Sequence, residues 1–174
     1  MLCAVLRLLA LSLVTAAIAV PAVGAHPARQ TGSSLARSIV VQINSVRAQH
    51  GLKPLRLVRQ LTSAAGQHSS EMGTRGYFSH DSADGTSFWK RVEGFYRSRG
   101  YRYWSVGENL LWSSGSLTPA EAVTMWMSSP PHRKNLLEKN WRQIGLSVKQ
   151  FPSAPGVYHG LPVTIVTADF GVRH

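Results

Sequence analysis

The apolar pattern of this chain changes period once, and that change limits its fold more than any other feature. Leu35, Ile39, Ile43 and Val46 recur at helical spacing. Leu57, Leu61, Ala64, Ala65, His68 and Met72 do the same, and predict a second helix ending near Gly73 or Gly76. Phe88, Val92 and Phe95 or Tyr96 predict a short third helix beyond the Asp84-Gly85 turn. Thr118-Pro119-Ala120-Glu121 is a helix start, with Thr118 as N-cap, Pro119 first and Glu121 third. Ser129-Pro130-Pro131-His132 is another, with Ser129 as N-cap. The period then drops to two. Ile144, Leu146 and Val148 alternate with small or polar residues, and Val163 to Phe170 is a fuller β-rich run. The loop of Pro152, Pro155 and Gly156 between these runs makes them an antiparallel pair. Helices first and strands last predict an α+β fold with segregated layers.

Composition removes whole classes of fold and chemistry. Apolar residues make up 44% and charged residues 16% of the 174, enough to bury a core. The single cysteine, Cys3, excludes an intrachain disulfide framework, cysteine zinc sites and thiol catalysis in the folded part. Leu8 to Val20 is an apolar run too short to span a bilayer comfortably. Pro21 breaks it, and Val23-Gly24-Ala25 supplies the small residues of a cleavage site. Residues 1–25 therefore read as a signal peptide cut after Ala25, residues 26–34 as a linker, and residues 35–174 as one domain. That order predicts a secreted, monomeric protein held together by its core.

Among the seven histidines, His26 and His174 fall at chain ends, and His50 suits a helix C-terminus. His159 lies in a Pro/Gly loop, and His68 sits on the apolar stripe of the second helix, where a packed histidine is the default. His80 and His132 differ. His80 follows Tyr77-Phe78-Ser79 on a loop, a common setting for a ligand or base. His132 would be third in its helix, where the dipole favours the neutral, metal-competent ring. Asn135, three residues on, is placed to orient that ring. Glu108 lies between Gly107 and an apolar run, so its carboxylate needs a partner. Two imidazoles or a metal would serve, and two histidines with a glutamate form a familiar open zinc set. Their wide spacing forms no local motif, and from spacing alone separate structural roles for the three are the simpler reading. There is no nucleophile elbow, phosphate loop or dinucleotide fingerprint.

Five ordered strings then point to one family. Gly76-Tyr77-Phe78-Ser79-His80 with Asp84-Gly85 comes first, followed by Val106-Gly107-Glu108-Asn109-Leu110. Trp126 to Leu137, Ile144-Gly145-Leu146 and Ala168-Asp169-Phe170 complete the set. Together they resemble a bacterial CAP domain, the superfamily of cysteine-rich secretory, antigen 5 and pathogenesis-related 1 proteins, also called the SCP domain. The resemblance implies an α-β-α sandwich with a small antiparallel sheet between helical layers. It also implies a cleft in which His80, Glu108 and His132 hold a divalent cation (zinc, calcium or magnesium), supported by Asn109, Asn135 and Ser129. These three are also the candidates for any catalytic role. The family pattern carries a further glutamate after the helical tryptophan. Here Trp126 is followed by Met127-Ser128-Ser129.

The formal net charge is +11. Lys90-Arg91, Arg97, Arg99 and Arg102 interleave with Phe95, Tyr96, Tyr101, Tyr103 and Trp104, a pattern that can stack on ligands or simply keep a face solvated. Export makes an anionic envelope polymer or lipid headgroup a better match than nucleic acid. Three functions follow as expectations: an extracellular binding module with a cation cleft, a cation-dependent hydrolase with Glu108 as base, and an envelope- or lipid-binding protein using the Lys90 to Trp104 surface.

Overall fold

The computed structural model describes residues 31–174, so the predicted signal peptide and most of the predicted linker lie outside the described residues. The linker is shorter than its composition suggests. Thr31 caps α1 (Gly32–Gln49) by accepting from the Ser34 backbone amide, so residues 32–34 are the first helical turn. β1 (Arg56–Leu57), α2 (Arg59–Arg75) and α3 (Phe88–Phe95) follow. β2 (Trp104–Ser114), α4 (Pro119–Ser128), α5 (Pro130–Leu136), β3 (Gln143–Phe151) and β4 (Val163–Arg173) complete the order, with a 3₁₀ turn at Gly156–Tyr158.

The sheet order is β1-β3-β4-β2. β3–β4 and β2–β4 are antiparallel, as expected of the central pair. The sheet is nevertheless mixed, because the two-residue β1 runs parallel to β3. Neither β1 nor β2 is legible in the sequence pattern. β1 is too short to show a period, and β2 carries Gly107, Glu108 and Asn109, types depleted in strands.

Side chains of β4 alternate between two layers. Val166, Ala168, Phe170 and Val172 pack with Leu35, Ile39 and Ile43 of α1 and with Val123 and Trp126 of α4. Ile165, on the opposite face, packs with Met72 of α2. Leu61 and Ala64 of α2 join Val92 of α3 and Tyr96 on that side. The architecture is thus the α-β-α sandwich implied above. Gly145 permits its tight spacing: a Cβ there would stand 2.0 Å from the Leu61 backbone carbon.

Two further devices position the cleft. The capping box of α4 is complete, with Thr118 accepting from Glu121 N and the Glu121 carboxylate accepting from Thr118 N. Arg47 of α1 is fully buried and donates to the carbonyls of Lys53, Leu136 and Glu138, which ties the end of α5 to α1. Arg47 therefore belongs to the interior and not to the basic surface.

Candidate functional site

The site forms around β2, an edge strand, and is built from both helical layers. An exposed edge invites pairing with another chain unless its free carbonyls are covered. Here the Trp126 indole donates to Leu110 O at 3.0 Å and Asn135 Nδ2 donates to Glu108 O at 3.0 Å. Asn135 also donates to Asn109 Oδ1, and Asn109 Nδ2 donates to His132 O, both at 3.0 Å. Asn135 thus braces β2 and leaves the His132 ring alone, contrary to the role expected from its helical spacing. Gly107 makes room for this contact, since a Cβ there would lie 2.8 Å from the Trp141 ring and 3.2 Å from Asn135 Oδ1. Ser129 occupies the N-cap position of α5, but its side chain makes no capping bond.

Glu108 is 4% exposed, in line with the buried carboxylate expected of it. His80 Nδ1 donates to Glu108 Oε1 at 2.8 Å, and Arg91 Nη2 donates to Oε2. The Arg91 Nη1 also donates to His80 O at 2.9 Å and to Ser82 Oγ at 3.2 Å. One guanidinium therefore clamps the carboxylate and the loop that carries its histidine. The His80 side chain is 52% exposed. With Nδ1 committed to the carboxylate, Nε2 is the ring nitrogen left to face a ligand. His132 arrives from α5 in the other layer. Burial first, and then the nearby His80, lower its pKa, which keeps the ring neutral. The direction agrees with the helix-dipole argument, but the cause is burial.

Three residues at this site were not assigned to it from the sequence. Arg91 counted there among the surface cations, yet it is 6% exposed and ion-paired. Its position was a readable signal, because Phe88, Arg91, Val92 and Phe95 share one helical stripe. Asp169 lies opposite Glu108 across the β2–β4 pair and is fully buried. Neither of its carboxylate oxygens has a hydrogen-bond partner. Burial, and then the Glu108 charge, push its pKa well above the ordinary carboxylate value, which favours the protonated form. A lone acid inside the β-rich run was its signal. His68 is packed as expected. Its Nε2 donates to Ser79 O at 2.8 Å, which holds the loop leading to His80, and burial lowers its pKa.

The arrangement bears on cation binding. Among the described residues, no group of three or more His, Cys, Asp or Glu side chains is disposed to hold a metal. Each Glu108 oxygen already accepts a hydrogen bond, and the Arg91 charge opposes a dication at that carboxylate. The donor set thus does not fit a cation bound directly by all three residues. Glu108 is placed to orient the His80 ring.

Comparison with known proteins agrees with the fold. The profile of the CAP family, the Cysteine-rich secretory protein family, matches residues 41–170. The uncharacterized protein YkwD of Bacillus subtilis (strain 168) is 35% identical over 114 residues, which cover 66% of this chain and 42% of that protein. The chain spans less than half the length of the curated relatives it matches. An extracellular protein containing a SCP domain from Bacillus anthracis superposes with a TM-score of 0.59 at 25% identity, over 83% of this chain and 44% of that one. An outer surface protein of Borrelia burgdorferi shares the fold, with a TM-score of 0.58 at 19% identity, over 79% of this chain and 92% of the other. No helix of the described residues is long and apolar enough to cross a membrane. With its ordered motifs, its three layers and a profile match over most of its length, the chain belongs to the bacterial branch of the CAP family.

Proposed function

We propose that this protein is an extracellular binding module whose cleft presents His80 and His132 to a divalent cation. The observation that carries the reading is the Glu108–His80 bond, which commits Nδ1 of a half-exposed ring and leaves Nε2 for a ligand, with His132 near enough to feel the His80 charge. Imidazole nitrogens suit zinc better than calcium or magnesium, which prefer oxygen donors. Zinc is therefore the cation of choice, and water or a ligand would complete its coordination. Bound there, the cation would supply a Lewis-acidic open position. Glu108 then orients His80, and Arg91 clamps the other Glu108 oxygen.

The test is calorimetric titration of metal-free protein with Zn²⁺, Ca²⁺ and Mg²⁺. One-to-one zinc binding is expected, abolished in the His80→Ala/His132→Ala double variant. Glu108→Gln is expected to weaken it by roughly 10- to 100-fold, as loss of an orienting partner does. Zinc binding that survives the double variant, or no saturable binding at all, overturns the reading.

The hydrolase alternative changes its base. With both Glu108 oxygens engaged, His80 Nε2 is the free basic atom, backed by Glu108 as an orienting carboxylate. A turnover of an ester, amide or glycan substrate that is unaffected by His80→Ala would exclude it.

A further inference from the structure

A second concave surface lies at the far end of β2, about 16 Å along the strand from Glu108. It is a hollow of about 490 Å³ lined by Tyr103, Asn140, Arg142, Val172, Arg173 and His174, with no acidic side chain among them. The backbone closes here, with Tyr103 and His174 exchanging N–H···O bonds at 3.0 and 3.1 Å.

Its arginines are held in place by backbone carbonyls. Arg173 Nη1 donates to Arg97 O at 2.9 Å, and its guanidinium lies 3.9 Å from the Tyr96 ring centre and 4.6 Å from that of Tyr101. Arg142 Nη1 donates to Lys139 O and Trp141 O at 2.7 and 2.9 Å. Among the described residues, neither has a carboxylate within ion-pair distance. Carbonyl anchoring leaves the remaining guanidinium N–H donors free to bind an anion, with little rotamer entropy left to lose.

Flat apolar faces stand beside these charges. Tyr101 and Tyr103 are 45% and 44% exposed, and Tyr103 is stacked on His174 at 5.1 Å, which fixes the plane of its ring. A smaller dent shares Tyr103 and Asn140 and continues past Lys134 to Asn135, the residue that braces the cleft strand. Glu138 is the one acid along it.

We propose that this surface binds an acidic polysaccharide, with a sugar ring against Tyr103 and the chain's carboxylates on Arg142 and Arg173. A bare polyanion would use the arginines and leave the tyrosine face idle. A lipid headgroup would likewise leave the length of the groove unused. The site is independent of the cation cleft, so it stands or falls separately.

The test measures binding of the full chain to polygalacturonate, with neutral dextran, inorganic polyphosphate and anionic phosphatidylglycerol vesicles as comparison probes. Polygalacturonate is expected to bind, and to weaken roughly tenfold in Arg142→Gln and again in Tyr103→Ala, the size of effect usual for arginine and tyrosine anchors. Dextran is expected not to bind. Tyr103→Ala is expected to leave whatever polyphosphate binding exists unchanged, which separates stacking from charge. Thermal melts confirm that each variant is folded, and Arg142→Lys is expected to restore part of the loss because it keeps the charge. Polygalacturonate binding unaffected by both variants overturns the site. Polyphosphate or vesicle binding that matches polygalacturonate and loses equally in Tyr103→Ala overturns the glycan assignment.

Discussion

At the scale of single residues, the cleft is governed by one arginine, two acids and the histidine they hold. Arg91 and Glu108 are almost wholly buried, and a charge left there without its partner is costly. Arg91→Met is expected to destabilise the fold by about 3–5 kcal/mol in urea unfolding. A loss below about 1 kcal/mol would mean that solvent reaches the pair. Asp169 behaves in the opposite sense. Its carboxyl is raised in the fold above its ordinary value of 3.8. Below that pH both folded and unfolded states hold the proton. Above it the unfolded chain releases its proton and the native one does not, so native stability falls as pH rises. Asp169→Asn, which cannot ionise, is therefore expected to gain stability relative to wild type as pH climbs from about 4 to 7. The gain is at most about 1.4 kcal/mol per pH unit. A stability difference that stays flat across that range would show that the buried group is already ionised. His68 works at the acid side: its lowered pKa stabilises the fold above its ordinary value of 6.5, and that contribution is lost as pH falls.

Among the elements, two local features decide how the layers meet. The capping box starts α4, whose Trp126 closes the Leu110 carbonyl on the edge strand. Thr118→Ala is expected to cost about 1 kcal/mol in denaturant unfolding. Thr118→Ser, which keeps the hydroxyl, should recover most of it. If both variants match wild type, packing alone carries the helix end. Gly145→Ala forces α2 away from β3, because the new methyl meets the Leu61 backbone at 2.0 Å. About 3 kcal/mol of destabilisation is expected. A neutral result would mean that α2 rides further from the sheet than described. Both features were legible as sequence: the first as Thr-Pro-Ala-Glu, the second only as a glycine inside a strand. β2 was not legible, because its buried polar residues are satisfied by α3 and α5 and carry no alternating apolar signal.

For the whole molecule, stability rests on the two-sided core and on no covalent staple. Cys3 is the only cysteine in the chain, so no intrachain disulfide can form. The thermal midpoint is therefore expected to be the same with and without dithiothreitol. A shift would reveal a disulfide between chains. The positive charge is divided by the fold. Arg47 and Arg91 spend theirs in the interior, on backbone carbonyls and on Glu108, whereas Arg142 and Arg173 keep theirs at the surface. A count of basic residues along the chain cannot make that division, because interior and surface arginines alternate in sequence and separate only when the layers close.

The sequence alone determined the order of helices and final strands, the caps at Thr118 and the packed role of His68. Each of these depends on neighbours within a few residues, where period and side-chain chemistry act directly. It also singled out His80, Glu108 and His132. Tertiary structure decided what they do. It placed Arg91 on one Glu108 oxygen and His80 on the other, set Asp169 against Glu108 through strand register, and turned Asn135 from the His132 ring to the β2 backbone. Those partners are far apart in the chain, and a buried charge takes its meaning from whichever opposite charge or donor the fold brings within reach.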